Sequence, residues 1–207
     1  MNDRGTRVLV VLVVGVLHAT LAVGQTAAGL DQYQLDSSVT GLIHSGNLSG
    51  QWFTVGRSGL LWGVEFSLEA TIGVTEDLVV DVEDVSGGLP GVVLGTTTIS
   101  PAHLGPMPDT LDLETVTATL IYLYHLDIFV EPGDQIGVRL STAQLASNGY
   151  RFKFQGSTDP YPGGEMLSNS GSNVDSDLAF KTFVVDPIFR DGFELGDTSE
   201  WTATVPP

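Results

Sequence analysis

The chain contains no cysteine. That absence removes disulfide staples, thiolate nucleophiles and cysteine-based zinc sites together. An exported domain can do without staples if its apolar core is large enough. Basic residues are also scarce: 8 Lys and Arg stand against 25 Asp and Glu, a formal charge of −17. So acidic a surface repels nucleic acid and anionic lipid. It suits high solubility, salt tolerance or divalent-cation binding, and solvation is the plainest of these. Histidine is confined to His18, His44, His103 and His125. No Gly-x-Ser-x-Gly elbow occurs, and Gly56-Arg57-Ser58-Gly59 falls one residue short of one. Nothing gathers a Ser/His catalytic set. Carboxylates that could pair for glycoside hydrolysis are so abundant that no pair is informative, and solvated surface groups account for them. The expectation is a protein that is not an enzyme, with no catalytic residue to assign.

Long apolar runs are missing too, except at the start. Arg4 and Arg7 lie in a short polar segment, and an apolar run follows from Val8 to Val23, broken by Gly15, His18 and Thr20. Ala22 and Gly24 then occupy positions −3 and −1 of a cleavage before Gln25. This is the layout of a secretory signal peptide over residues 1–24. Left uncleaved, it would act as an N-terminal anchor. A spanning helix, however, needs ~20 apolar residues, and this core is shorter. Cleavage leaves 24 acidic residues (25 less Asp3) and 6 basic ones (8 less Arg4 and Arg7), a formal charge of −18. The product is expected to be secreted, extracellular or cell-surface, with no membrane span after leader cleavage.

No stretch shows sustained helical periodicity with caps, so almost no helix is predicted. Short alternating segments cut by Gly, Pro, Asp and Ser dominate instead. Gln51 to Val55 places Phe53 and Val55 on one face, Trp52 and Thr54 on the other. Leu60 to Ala70 points Trp62, Val64, Phe66 and Leu68 inward, with Glu65 and Glu69 outward. Asp77 to Val85 buries Leu78, Val80 and Val82, with Asp81 and Glu83 outward. Gly87 to Gly91 is a turn before a strand from Val92 to Ile99. Thr117 to Val130, which includes His125, reads as a central strand or as two strands meeting at a kink. Gln135 to Ser141, Tyr150 to Phe154, Glu165 to Asn169 and Asp177 to Val185 complete the series, and Leu30 to Asp36 adds an edge strand. Eight to ten short strands with regular turns predict an all-β, jelly-roll-like antiparallel β-sandwich over residues 25–185. A short C-terminal segment, residues 186–207, follows Asp186-Pro187 and is too short for a domain.

Several pieces together resemble a known group. They are Gln51-Trp52-Phe53-Thr54-Val55-Gly56, Leu60-Leu61-Trp62-Gly63-Val64-Glu65-Phe66, Asp84-Val85-Ser86-Gly87-Gly88-Leu89-Pro90-Gly91, Val130-Glu131-Pro132-Gly133-Asp134-Gln135-Ile136, Asp159-Pro160-Tyr161-Pro162-Gly163-Gly164 and Asp177-Leu178-Ala179-Phe180-Lys181-Thr182-Phe183. In this order they are similar to the jelly-roll-like "choice-of-anchor" domains of exported bacterial proteins, over roughly residues 48 to 185. The resemblance implies a non-catalytic extracellular module with no catalytic residues to transfer. The tail, Asp191-Gly192-Phe193-Glu194-Leu195-Gly196-Asp197-Thr198-Ser199-Glu200-Trp201, is similar to a block that ends many exported bacterial proteins.

Three patterns carry candidate chemistry. If Leu60–Ala70 and Asp77–Val85 form a hairpin, Glu65, Glu69, Asp81 and Glu83 share one face, and like charges opposite one another are destabilising. Outward Arg139, Arg151 and Lys153 would relieve them through cross-strand salt bridges, or a cation would. Asp175-Ser176-Asp177 with Asn173 offers alternating oxygen ligands, so calcium is the cofactor the sequence admits; a Ser/Asp-rich turn explains the same residues. Trp52, outward by alternation, and Tyr161, held between two prolines, are the candidate ligand-binding aromatics for a glycan or cell-surface component. An outward Trp that packs under a loop is the competing reading. Asn47-Leu48-Ser49 is a glycosylation sequon that matters only in a eukaryotic secretory pathway.

Overall fold

The computed structural model describes residues 28–104, 118–169 and 171–186. The expected leader and nearly all of the C-terminal segment lie outside the described residues. In chain order the strands are β1 (Gly29–Gln34), β2 (Val39–Ile43), β3 (Ser49–Thr54), β4 (Gly59–Phe66), β5 (Leu68–Ala70), β6 (Leu78–Asp84), β7 (Val92–Ile99) and β8 (Thr119–Tyr122). They continue with β9 (Phe129–Val130), β10 (Gln135–Ser141), β11 (Tyr150–Gly156), β12 (Gly164–Ser168), β13 (Gly171–Asn173), β14 (Ser176–Leu178) and β15 (Phe180–Val185). Among the described residues, helix is limited to one-turn 3-10 segments at Pro101–His103 and Tyr124–Leu126. None is long and apolar enough to cross a membrane.

All strand pairs are antiparallel and form a β-sandwich, as the alternation predicts. One sheet has six strands in the order β13-β12-β3-β10-β6-β7. A second runs β1-β15-β4-β8, with β9 also on β4. A third runs β14-β11-β2, with β5 also on β11. The second and third are linked by strands that continue from one into the other: β4 into β5 past Ser67, and β14 into β15 past Ala179. The Lys153 amide donates to Ser67 O at 3.3 Å and the Ala179 amide to Lys153 O at 3.1 Å across this junction.

The core lies between the sheets. Val80 and Val82 of β6, Val138 and Leu140 of β10 and Phe53 of β3 meet Leu61, Val64 and Phe66 of β4 and Phe180 of β15, all essentially inaccessible. The Phe53 and Phe180 rings stack at 6.1 Å from opposite layers. Each such side chain contributes roughly 1.5–3 kcal/mol by leaving water, so the core stands in for the missing disulfides.

Three expectations need correction, and one open alternative is decided. The hairpin of Leu60–Ala70 with Asp77–Val85 does not form: β4 pairs with β15, β8 and β9, whereas β6 pairs with β10 and β7. The acidic residues therefore meet basic partners from distant strands. Lys153 is not a solvated outward cation: it is 3% exposed, at the junction where its backbone bonds to Ser67 and Ala179. Over its described residues, Ala118 to Val130, the stretch takes the kinked alternative as β8 and β9, and His125 lies in the 3-10 turn between them. Trp62 faces outward. The β4–β15 register jumps between Phe183 and Val184, which face Gly63 and Leu61. A bulge sets two residues against one and keeps both on the same face; it turns Trp62 out while Leu61 and Val64 stay in.

Candidate functional site: the groove over Trp52

Alternation along β3 sends Phe53 to the core and Trp52 to the outer face of the six-stranded sheet, where it is half-buried. Glu165 of β12 lies directly opposite Trp52 on one side, and Gly137 of β10 on the other. Glu83 of β6 comes next across the sheet. Gly137 shapes this face: a Cβ there would meet Val85 Cγ1 at 3.0 Å and Leu167 Cδ1 at 3.4 Å. Its bare backbone lets those two side chains close over the sheet. A cavity of about 360 Å³ opens beside them, lined by Trp52, Val85, Leu89, Gln135, Glu165 and Ser172. A second, of about 250 Å³, shares Leu89 in its wall and reaches Pro90, Arg139, Leu167, Ser168 and Asn169. The two form one groove between the Ser86–Gly91 turn and the β12–β13 hairpin.

Electrostatics in the groove are largely settled within the protein. Arg139 Nη2 donates to Glu83 Oε2 at 2.8 Å, and the Gly91 amide donates to the same oxygen at 3.3 Å. Asp81, facing Arg139 in the register, accepts the Thr96 hydroxyl at 2.6 Å. Ser86 bonds hold the Asp84 carboxyl below its ordinary value and fix the turn at the groove edge. Glu165 is in no ion pair among the described residues. The groove thus offers an indole face, one uncommitted carboxylate, the Gln135 amide and the Ser172 hydroxyl. Such a lining suits a small hydroxyl-rich ligand.

The other expected site residues lie elsewhere. Tyr161 does not join Trp52. Its ring packs edge-on against Phe180 at 5.2 Å, on the core side, and its hydroxyl donates to Gln32 Oε1 at 2.9 Å. Burial pushes its phenol up to about 12. The two flanking prolines hold Tyr161 into the fold rather than out to a ligand. Nor do Asn173, Asp175 and Asp177 converge. Asn173 and Asp175 are exposed, and Asn173 Oδ1 accepts the Asp175 amide at 3.4 Å in a local turn. Asp177 is buried in β14, where one oxygen accepts Gln51 Nε2 at 2.8 Å and the other the Tyr161 amide at 3.2 Å. N–H donors on both oxygens are the environment of a structural carboxylate, not a cation ligand. Among the described residues no group of three or more His, Cys, Asp and Glu could hold a metal.

Sequence reasoning missed a second outward aromatic group. Trp62 meets Tyr122 at 5.0 Å and Phe183 at 6.1 Å, and Tyr122 meets Tyr124 at 6.4 Å, all near perpendicular. The available signal was Gly63, since a glycine inside a strand pattern often marks a bulge. In comparisons with known proteins, no family model and no curated protein matches the chain.

Proposed function

We propose that this is a secreted or surface-exposed, non-catalytic β-sandwich module that contacts glycan, in an extracellular matrix or on a cell surface, through the groove over Trp52. The observation that carries the reading is the half-buried indole with Glu165 beside it and Gln135 and Ser172 in the same cavity wall. An indole face stacks on the C–H face of a sugar ring, and neighbouring polar groups take up its hydroxyls. A catalytic role for the same groove lacks a second carboxylate at liberty, because Glu83 is buried against Arg139 and the Gly91 amide. The leader-like N-terminus supports export. A glycan array on the exported protein, with Trp52→Ala and Glu165→Gln as controls, tests the reading. Binding that both variants weaken supports it; a wild-type protein that retains no glycan removes it.

A further inference from the structure

The groove over Trp52 holds two recognition elements that the fold itself leaves unused. Glu165 and Trp52 face each other across β12 and β3, a placement that sets their Cβ atoms about 5 Å apart. Among the described residues no aromatic ring packs on the Trp52 indole. The ion pairs there engage Arg57, Arg139, Arg151 and Lys181, and none of them reaches Glu165. Arg139, in the wall of the adjoining cavity, is held by Glu83. At the groove edge Ser86 keeps the Asp84 carboxyl below its ordinary value, so that side chain adds negative charge. Glu165 is itself half-buried in the cavity wall. A carboxylate withdrawn from water without a partner is costly, and a cation brought by a ligand relieves it.

We infer that the ligand of this groove, which rests on the glycan reading above, is a glycan with free amino groups: a protonated amino sugar set between the Trp52 indole and the Glu165 carboxylate. An ammonium group is attracted by the electron-rich face of an indole. A carboxylate on the facing residue gives the same ammonium an ion pair without moving it. A neutral sugar uses the indole too, but gains only a hydrogen bond from Glu165. An acidic sugar brings its own carboxylate against Glu165, on a chain of charge −17. The lining favours an amino sugar over a lysine side chain. The Gln135 amide and the Ser172 hydroxyl lie in the same wall as Glu165. A sugar ring turns hydroxyls to those groups while its amine meets the carboxylate, whereas a lysine side chain offers them only methylenes. Past Leu89 the groove continues into the second cavity, which gives room for the next ring of an oligomer.

Calorimetric titration of the exported protein with three β-1,4-linked tetramers tests this: glucosamine with its amines protonated, N-acetylglucosamine, and glucose. The three share a backbone and differ only at C2 of each ring. Wild type should bind the glucosamine tetramer roughly tenfold more tightly than either neutral one. Glu165→Gln keeps the size of the side chain and should bring the three to within about twofold of one another. Trp52→Ala should weaken all three. Asp127→Asn, which alters an exposed acid between β8 and β9 in the other layer, should keep the full preference. Equal binding of the three by wild type overturns the amino-sugar inference and leaves the glycan reading of the groove standing. A preference that Glu165→Gln retains, or that Asp127→Asn reduces as much, is general attraction to an acidic surface and overturns it as well. Tetralysine bound as tightly as the glucosamine tetramer, with the same loss in Glu165→Gln, overturns the sugar in favour of a basic peptide. No uptake of any sugar tetramer overturns both the inference and the glycan reading.

Discussion

Replacing Asp177 with Asn should change how stability depends on pH more than it changes stability itself. The carboxyl is 1% exposed and accepts hydrogen bonds from Gln51 and from the Tyr161 amide. Burial outweighs those bonds and, with Asp159 and Glu165 nearby, pushes it up from 3.8 to about 6. The folded protein therefore holds this proton more tightly than the unfolded chain. Its contribution to stability is complete below a pH of about 4 and is lost as pH rises through about 6. Each pH unit between those values corresponds to ~1.36 kcal/mol, so ionising Asp177 costs the fold on the order of 2–3 kcal/mol at neutral pH. Asp177→Asn removes that slope. It also mismatches one of the two N–H donors, a pH-independent loss of ~1 kcal/mol. Urea denaturation of both proteins, stepped from a pH of about 4 to about 8, reads the difference; the remaining carboxylates titrate in both and cancel. Wild-type stability minus variant stability should fall by roughly 2–3 kcal/mol over that range. Parallel curves would refute the argument, because they would mean that Asp177 ionises in the fold as easily as in water.

Other perturbations follow from the same geometry. Arg139→Met strands the Glu83 carboxylate, whose side chain is 4% exposed, and should cost ~3–5 kcal/mol in chemical denaturation; adding Glu83→Gln should recover part of it. Gly137→Val places a Cβ within 3.0 Å of Val85 and 3.4 Å of Leu167. It should cost ~1–3 kcal/mol by overpacking and weaken any ligand of the Trp52 groove in the same titration. Thermal melts with calcium and with chelator should superimpose, since Asn173, Asp175 and Asp177 do not converge; a calcium-dependent rise abolished by Asp175→Asn would reinstate a cation there.

What could be read in advance, and what could not, follows from the range of each interaction. The inward sets of β6, β10 and β11 were visible because side chains alternate along any strand, whatever its partners. Turns at Gly87–Gly91 and Glu131–Asp134 were visible for the same local reason. Trp52 was legible as outward from Phe53 alone. Strand neighbours were not, because β4 meets β15 more than a hundred residues away, and sequence adjacency wrongly favoured β6. The bulge at Trp62 inverted one position of an otherwise regular alternation. The direction of Tyr161, onto Phe180 and Gln32, was not legible because a Pro-flanked aromatic is equally rigid whether it points into the core or out of it.

The scarce basic residues explain how so acidic a chain selects among its antiparallel pairings. Arg151 of β11 stands opposite Glu69 of β5 in the register, with a 3.7 Å ion pair. Lys181 of β15 stands opposite Glu65 of β4. Arg139 of β10 reaches diagonally from Asp81 to Glu83 on β6. Each links strands from distant parts of the sequence. The two more exposed pairs contribute only ~0–1 kcal/mol each, so their effect on total stability is small. Their effect on alternatives is larger. A one-residue slip of β15 on β4 would turn Lys181 to the opposite face, toward the core. A two-residue slip would set Phe183 or Ala179 against Glu65 and leave that carboxylate without its cation. With few cations to place, every misplaced one leaves an acidic cluster uncompensated, and the native register is the arrangement in which Glu65, Glu69 and Glu83 are all answered.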